Sequence, residues 1–242
     1  MTETVKRQFR PGLWAMVFGI PLFLLLIGLG TWQIERLHWK EGLIAQIDAR
    51  THETPVPLPA DTITPDDWSF RPAVAKGVFE HDKEIPVLAN RGEGLLGYEI
   101  VTPLKMDDGR YVLVDRGWVP QQYKDPKTRL EGQVAGEQTI TGFLRLSDKK
   151  PWAVPANRPQ DGLWLYADLP QMEEYLGLKT FPMFLQADKT PNPGGLPQGG
   201  QTRVELPNNH LQYVITWYAL AVAFLVIFVT YHMKPVAPAE KD

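Results

Sequence analysis

The chain has 242 residues, a formal net charge of −3 and 44% hydrophobic residues, with no cysteine. This net charge does not indicate nucleic-acid binding. The absence of cysteine excludes disulfides, thiol catalysis and cysteine metal sites. The length suits one sizeable domain plus anchors. Most of the 22 prolines lie between two apolar segments near the chain ends.

The first apolar segment, residues 13–32, contains 20 residues without a charge and follows Lys6, Arg7 and Arg10. This length is sufficient to cross a bilayer, and membrane helices tolerate an internal proline such as Pro21. A cleaved signal peptide is the competing interpretation, but no A-x-A-like cleavage site follows the segment. The sequence therefore predicts a retained transmembrane helix.

The first helix is expected to continue beyond the membrane. Trp32, Arg36 and Trp39 recur at i, i+4 and i+7, which places them on one helical face. An interfacial anchor, with tryptophan at headgroup depth and basic side chains reaching to water, explains the same residues.

The central part of the chain alternates short β-branched and aromatic runs with turn signals. Asp107-Asp108-Gly109 predicts a hairpin turn, and residues 170–176 predict a short helix that ends at Gly177. Local hairpins with few long helices predict an antiparallel sheet or small barrel, and hence an α+β or mainly β domain. The predicted strands are residues 70–79, 85–90, 98–104, 111–119, 139–146, 163–167 and 181–187.

Residues 112–120 form the most distinctive stretch of this central part. Asp115 and Arg116 are expected to form a structural ion pair at the end of a buried strand, and Gly117 permits a bulge. A docking surface formed by Asp115, Arg116 and Trp118 for an anion or a protein partner is the functional alternative.

The second apolar segment follows Pro207 and an amide-rich turn. Asn208 is the expected N-cap, which places His210 in the first helical turn. Residues 213–231 carry no charge and reach about 28 Å, close to the thickness of a hydrocarbon core. His210, Tyr213 and Trp217 are expected on one face of the helix. An aromatic belt at the membrane interface is the simpler explanation of the Tyr213 and Trp217 rings.

These segments predict two transmembrane helices flanking a mainly antiparallel α+β soluble domain. The expected layout is an N-terminal segment (1–12), transmembrane helix 1 (13–32), a domain on one side of the membrane (33–209), transmembrane helix 2 (210–231) and a C-terminal tail (232–242), with both chain ends on the side opposite the domain. The chain contains no G-x-S-x-G, H-E-x-x-H or Walker motif, so an enzyme is not expected.

Three stretches resemble motifs of the surfeit-locus (Surf-one/Shy) family. They are Trp32–Lys40, Val112–Pro120, and Asn208–Tyr213 followed by Thr216-Trp217-Tyr218. Together with the two-anchor layout, the resemblance covers nearly the whole chain. Asp115 stands where the family's central motif commonly has asparagine.

The resemblance implies an assembly factor for haem–copper cytochrome c oxidase that acts on haem a delivery into the largest oxidase subunit. It also implies a bacterial inner-membrane protein, with residues 33–209 in the periplasm and residues 1–12 and 232–242 in the cytoplasm, or the mitochondrial equivalent. The bacterial alternative is favoured because residues 1–12 leave no room for a long transit sequence. The haem a synthesis enzyme and the lipid bilayer are further expected partners.

Haem a has an iron, two propionates and a long apolar tail, and the candidate residues suit these parts. His210 can ligate the iron, with His38 as a second candidate. Arg36 and Lys40 can pair with the propionates, and Trp217 or Trp32 can stack on the macrocycle. A scaffold that holds an oxidase intermediate without haem, and a membrane-tethered enzyme, are the alternatives.

Overall fold

A computed structural model describes residues 7–60, 63–91, 95–201 and 207–235. These residues form two compact units, a helix pair from residues 7–45 and 207–235 and a β domain from residues 46–201. The outer parts of the predicted termini, residues 1–6 and 236–242, lie outside the described residues.

The helices and strands are labelled in chain order, and short 3₁₀ turns connect several of them. They are β1 (Arg7–Phe9), α1 (Leu13–Thr51), β2 (Val56–Pro57), α2 (Pro65–Trp68), β3 (Pro72–Phe79), β4 (Ile85–Asn90), β5 (Leu96–Met106), β6 (Tyr111–Pro120), β7 (Glu137–Arg145), α3 (Leu169–Leu176), β8 (Phe184–Ala187), α4 (His210–His232) and β9 (Met233–Pro235).

The helix pair consists of α1 and α4, which run antiparallel. Each helix contains a stretch long and apolar enough to cross a membrane. Glycines allow the close approach, because a Cβ on Gly30 would lie 3.0 Å from the ring of Tyr218 and one on Gly19 would lie 2.6 Å from Phe228. The hydroxyls of Thr31 and Tyr218 are 3.1 Å apart. At the far end, β1 pairs with β9 and joins the two flanks of the chain.

The contact between the helices follows a regular spacing, which we call the α1–α4 seam. Its positions recur every three or four residues and are buried or half-buried, as knobs-into-holes packing requires. On α1 they include Gly19, Phe23, Leu26, Gly30 and Gln33, and on α4 His210, Val214, Trp217, Ala221, Phe224 and Phe228.

The β domain is a closed barrel of five strands. Its ring order is β3-β5-β6-β8-β7, and the pairing of β3 with both β5 and β7 closes the ring. The β6–β8 pair is parallel and the other four pairs are antiparallel. The short β2 and the longer β4 add to the outside of β3 and β5. This ring matches the Greek-key arrangement of the OB-fold barrel, which does not by itself define a function.

Strand β6 is buried on both faces. Val112 and Val114 belong to one core cluster, which also contains Leu104 and Leu185. Leu113 belongs to a second cluster that packs against α3. Successive strand residues point to opposite faces, so a strand between two cores is apolar at consecutive positions.

The structure confirms the predicted continuation of α1 beyond residue 32, the hairpin turn at Gly109 and the short helix that ends at Gly177. Residues 163–167 do not form the predicted strand; they make only isolated bridges and turns. Asn209, not Asn208, is the N-cap of α4, and Asn208 Oδ1 instead accepts from the His210 amide at 3.4 Å.

We expect Gly117→Ala to destabilise the barrel more than a glycine replacement that is strained in φ alone. Gly117 has φ of +117°, and a Cβ there would lie 2.0 Å from the carbonyl oxygen of Gln198. The left-handed φ costs an L-residue about 1–2 kcal/mol, and displacing the loop adds to that cost. The measurement is the unfolding midpoint of the purified chain.

Gly162→Ala is the control, because Gly162 has φ of +66° and a Cβ there would meet nothing within 4 Å. This variant should lose only the free energy that a left-handed φ costs an alanine, roughly 1 kcal/mol. Equal losses from the two variants would show that the close approach of Gly117 to residue 198 is unimportant.

Candidate functional site

The end of the α1–α4 seam carries the polar contact of the helix pair. His210 is the first residue of α4 and is half-buried. Its Nδ1 lies 2.7 Å from Oε1 of Gln33, whose side chain is only 8% exposed. The imidazole and the amide therefore meet where the apolar stretch of α1 ends.

Basic and aromatic side chains continue along α1 beyond Gln33. The Arg36 guanidinium lies 6.0 Å from the Trp32 ring centroid and 4.8 Å from that of Trp39, which confirms the predicted common face. Lys40 is half-buried, seven residues beyond Gln33. Arg36 and Lys40 therefore lie about 4.5 and 10 Å further along the helix axis.

His38, the second candidate for the haem iron, does not share a face of α1 with Gln33. His38 is exposed and follows Gln33 by five residues, which places it about 140° around the helix. Ligation by His38 stays a prediction, and the helical geometry gives it no support. Trp217 is half-buried on the seam about 10 Å deeper than His210, whereas Tyr213 is 53% exposed.

Asp115 and Arg116 occupy the middle of β6 and point to opposite faces. The expected ion pair between them was wrong, because neighbouring residues of a strand alternate in direction. Asp115 is 6% exposed; its Oδ1 accepts from the Gly117 amide at 3.0 Å and its Oδ2 from Gln186 Nε2 at 2.7 Å.

Arg116 extends into the other core and contacts neutral groups there, while its Nε has no hydrogen-bond partner among the described residues. It is 2% exposed, donates to the carbonyl oxygen of Gly132 and to His81 Nδ1, the latter at 3.4 Å, and lies 4.8 Å from the Phe79 ring centroid. Burial lowers its pKa to about 10, so Arg116 remains charged at pH 7. The nearby Arg129 pairs with Glu84.

Trp118 is also inside the domain. Its backbone pairs with Gln198, and its ring lies against Gly97 and 4.3 Å from the Arg91 guanidinium. Trp118 is 7% exposed, so all three residues of the predicted docking surface are buried. Direct partner binding by these residues stays a prediction, while their contacts give each of them a role in the fold.

A second carboxyl group accompanies Asp115. Burial raises the pKa of Glu99 to about 8, and the charge of Asp115 acts in the same direction. Burial also raises the pKa of Asp115, against the hydrogen bonds from Gln186 and Gly117. Glu99 is therefore mostly protonated at pH 7.

Two features of the site were not predicted from the sequence. Gln33 follows Trp32 directly and has no distinctive sequence pattern. What identifies it as a site residue is its buried contact with His210, which lies 177 positions further along the chain. His81 is one of five histidines and lies in none of the three motif stretches. In the part of the chain that the structure describes, no three His, Cys, Asp or Glu side chains are grouped to hold a metal ion.

The fold and site define a class: proteins with two apolar helices that could each cross a membrane, joined by a β-barrel domain with a buried Asp-Arg-Gly-Trp strand. The model of the SURF1 family matches residues 21–222. The chain belongs to the SURF1 family.

Several relatives are similar over most of the chain. The rat protein named Surfeit locus protein 1 is 43% identical over 212 residues, which cover 81% of this chain and 68% of the relative. The human protein of that name is 41% identical, with 81% and 70% covered. A SURF1-like protein of Monosiga brevicollis is 32% identical, with 92% and 88% covered.

We expect the domain to lose stability as the pH falls below about 6.5 through the protonation of His81. Burial lowers the pKa of His81, opposed by its bond to Val134 and assisted by the charge of Arg116. Below the ordinary histidine pKa the unfolded chain therefore binds more protons than the folded chain, and the free energy of unfolding decreases as the pH falls through this range. Well above that pKa His81 is neutral in both states, and the free energy of unfolding is unaffected. Protonated Nδ1 would also face an Arg116 N–H.

The measurement is the unfolding midpoint from pH 8 to pH 5 for the parent and His81→Gln. The variant should lose part of the acid sensitivity between pH 6.5 and 5. His52→Gln is the control, since the His52 side chain is 77% exposed. Parallel curves for the parent and His81→Gln would contradict the assignment.

Proposed function

We propose that this chain is an assembly factor for haem–copper cytochrome c oxidase. It holds haem a at the α1–α4 seam and assists its insertion into the largest oxidase subunit. The observation that carries the proposal is a half-buried histidine, His210, bonded to a buried amide where two membrane-length helices meet. Membership of the SURF1 family supports it.

The donors at this end of the seam fit haem iron. Imidazole is a common axial ligand of haem and suits iron. The chain has no cysteine, and His210 is the one histidine among the seam positions given above for the described parts of α1 and α4. Haem a is the cargo in this proposal, and the imidazole supplies one ligand during its transfer.

The polarity along the helices also fits haem a. Arg36 and Lys40 lie beyond Gln33, on the side away from the apolar stretch, where they can pair with the two propionates. Trp217 lies deeper along the seam, and Trp32 is half-exposed beside Arg36; both rings can contact the macrocycle. The apolar surfaces of the two helices can house the tail.

The proposed setting is an inner membrane, with the β domain in the periplasm and both chain ends in the cytoplasm. The lipid bilayer surrounds the helix pair, the haem a synthesis enzyme supplies the cargo, and the largest oxidase subunit receives it. The chain forms no covalent bond in this scheme and acts as a chaperone, not as an enzyme.

The proposed topology predicts the activity of reporter fusions. Alkaline phosphatase fused after residue 100 should be active, because it would lie in the periplasm with the β domain. The same reporter fused after residue 240 should be inactive in the cytoplasm. The reverse pattern would reject the orientation.

Arg116→Ala tests whether the central motif acts through the fold or through docking. Removing the guanidinium leaves the buried Gly132 carbonyl without its donor and opens a cavity beside Phe79, at a cost of about 3 kcal/mol. We therefore expect protein abundance to fall together with oxidase activity.

Arg158→Ala is the control for Arg116→Ala, because the Arg158 side chain is 65% exposed in a surface ion pair and should be dispensable. Normal abundance of Arg116→Ala with lost oxidase assembly would instead assign Arg116 to partner binding.

His210→Ala tests the haem hypothesis directly. The variant should insert and fold but purify with at least about tenfold less haem a. Even the loss of a group that only hydrogen-bonds to a metal ligand lowers metal affinity by about 10–100-fold, and this change removes the proposed ligand itself. His232→Ala is the matched control, since His232 ends the same helix at its opposite end. The His38/His210 double variant should remove any residual binding.

If the single and double variants keep the parent's haem content and optical spectrum, these histidines do not hold haem. A chain that purifies without haem but still supports oxidase assembly would favour the scaffold alternative.

A further inference from the structure

Gln33 is the buried polar residue of the helix pair among the described residues. A buried amide costs free energy unless it is hydrogen-bonded, so its partner determines why the residue is tolerated. That partner is His210, with 2.7 Å between Gln33 Oε1 and His210 Nδ1. The contact is short enough for a good hydrogen bond.

The direction of this hydrogen bond fixes the protonation of the imidazole. A carbonyl oxygen only accepts, so His210 Nδ1 must carry the hydrogen and donate it. In the neutral ring the other nitrogen, Nε2, then has the free lone pair. The contact thus selects one of the two tautomers and leaves Nε2 as the available metal ligand.

We propose that Gln33 is the positioning residue of His210: it holds the Nδ1–H tautomer and the ring orientation, and it makes Nε2 a stronger donor to iron. This inference rests on the proposed function, because it concerns the same site. Metal-binding histidines generally donate their second N–H to a fixed acceptor, which orients the ring and raises its basicity.

The packing of the helix pair holds Gln33 in register with His210. One turn deeper, Gly30 lies against the Tyr218 ring and the Thr31 hydroxyl lies 3.1 Å from the Tyr218 hydroxyl. These contacts fix how far α1 can slide along α4. Because Gln33 follows Gly30 by three residues, it faces the same seam.

The main chain of His210 is held as well. Asn208 Oδ1 accepts from the His210 amide, and the helix begins at His210 itself. The imidazole therefore has a fixed origin at the backbone and a fixed acceptor at Nδ1. Among the described residues no side chain or carbonyl bonds to Nε2, so this ring nitrogen is the one left to bind an external group.

The first test reads the tautomer without haem. In the full-length chain labelled with ¹⁵N-histidine, His210 should show a protonated Nδ1 and an unprotonated Nε2 at pH 8. In Gln33→Leu, which cannot accept a hydrogen bond, this preference should be lost. A proton on Nε2 in the parent would overturn the inference, whatever the outcome for haem.

The second test measures the affinity for haem a and the midpoint potential of the loaded chain. Gln33→Leu should weaken haem a binding by about 10–100-fold, which is the usual effect of removing a hydrogen-bond partner of a metal ligand. Gln33→Glu keeps an acceptor and adds negative charge, so it should retain binding and shift the potential to more negative values. This second variant keeps the test valid if Gln33→Leu folds poorly.

Gln212→Leu is the matched control, because Gln212 is an exposed glutamine two residues after His210. It should leave affinity and potential unchanged. If Gln33→Leu and Gln33→Glu both behave like the parent while His210→Ala loses haem, the proposed function stands and the positioning role is refuted. If His210→Ala also keeps its haem, the proposed ligand fails, and the haem-free tautomer measurement alone decides the role of Gln33.

Discussion

The close antiparallel contact between α1 and α4 is the constraint on which the candidate site depends. In a bilayer the hydrophobic effect does not drive helices together, so small residues and interhelical hydrogen bonds provide the association. Gly19 and Gly30 leave room for Phe228 and Tyr218, and the Thr31–Tyr218 hydroxyl pair adds a polar contact. The register set by these contacts brings two polar side chains together at the end of the seam.

The β domain is organised around a different constraint, a strand buried on both faces. Because β6 separates two cores, Asp115 and Arg116 are each enclosed by different neighbours. Neutral groups donate to the Asp115 carboxylate and accept from two of the three nitrogens of the Arg116 guanidinium. Replacement of either charge is therefore expected to act first on folding, since buried polar groups that lose their partners are costly.

Much of this architecture could be predicted from the sequence because it depends on local patterns. The apolar stretches, the barrel strands and the turn at Gly109 follow from composition and spacing over a few residues. The ion pair between Asp115 and Arg116 was wrong for an equally simple reason, since adjacent strand residues face opposite ways. Residues 163–167 have strand-like composition, but tertiary packing leaves them with isolated bridges only.

The site itself could be predicted only in part. His210 stands out as an ionisable group at the start of an apolar helix, whereas Gln33 has no signal of its own. Its importance depends on a partner 177 positions away, and that distance is closed by the packing of two helices. The pairing of β1 with β9 is long-range in the same way. Such contacts are properties of the assembled helix pair, not of any short stretch.

The measurement that tests the account most directly is an optical spectrum. The full-length chain is co-expressed with the haem a synthesis enzymes, purified in detergent and examined for bound pigment. Haem a ligated by histidine should co-purify with the chain and give a Soret band. A purified, folded chain without a Soret band, under conditions in which haem a is made, would contradict haem binding by this chain.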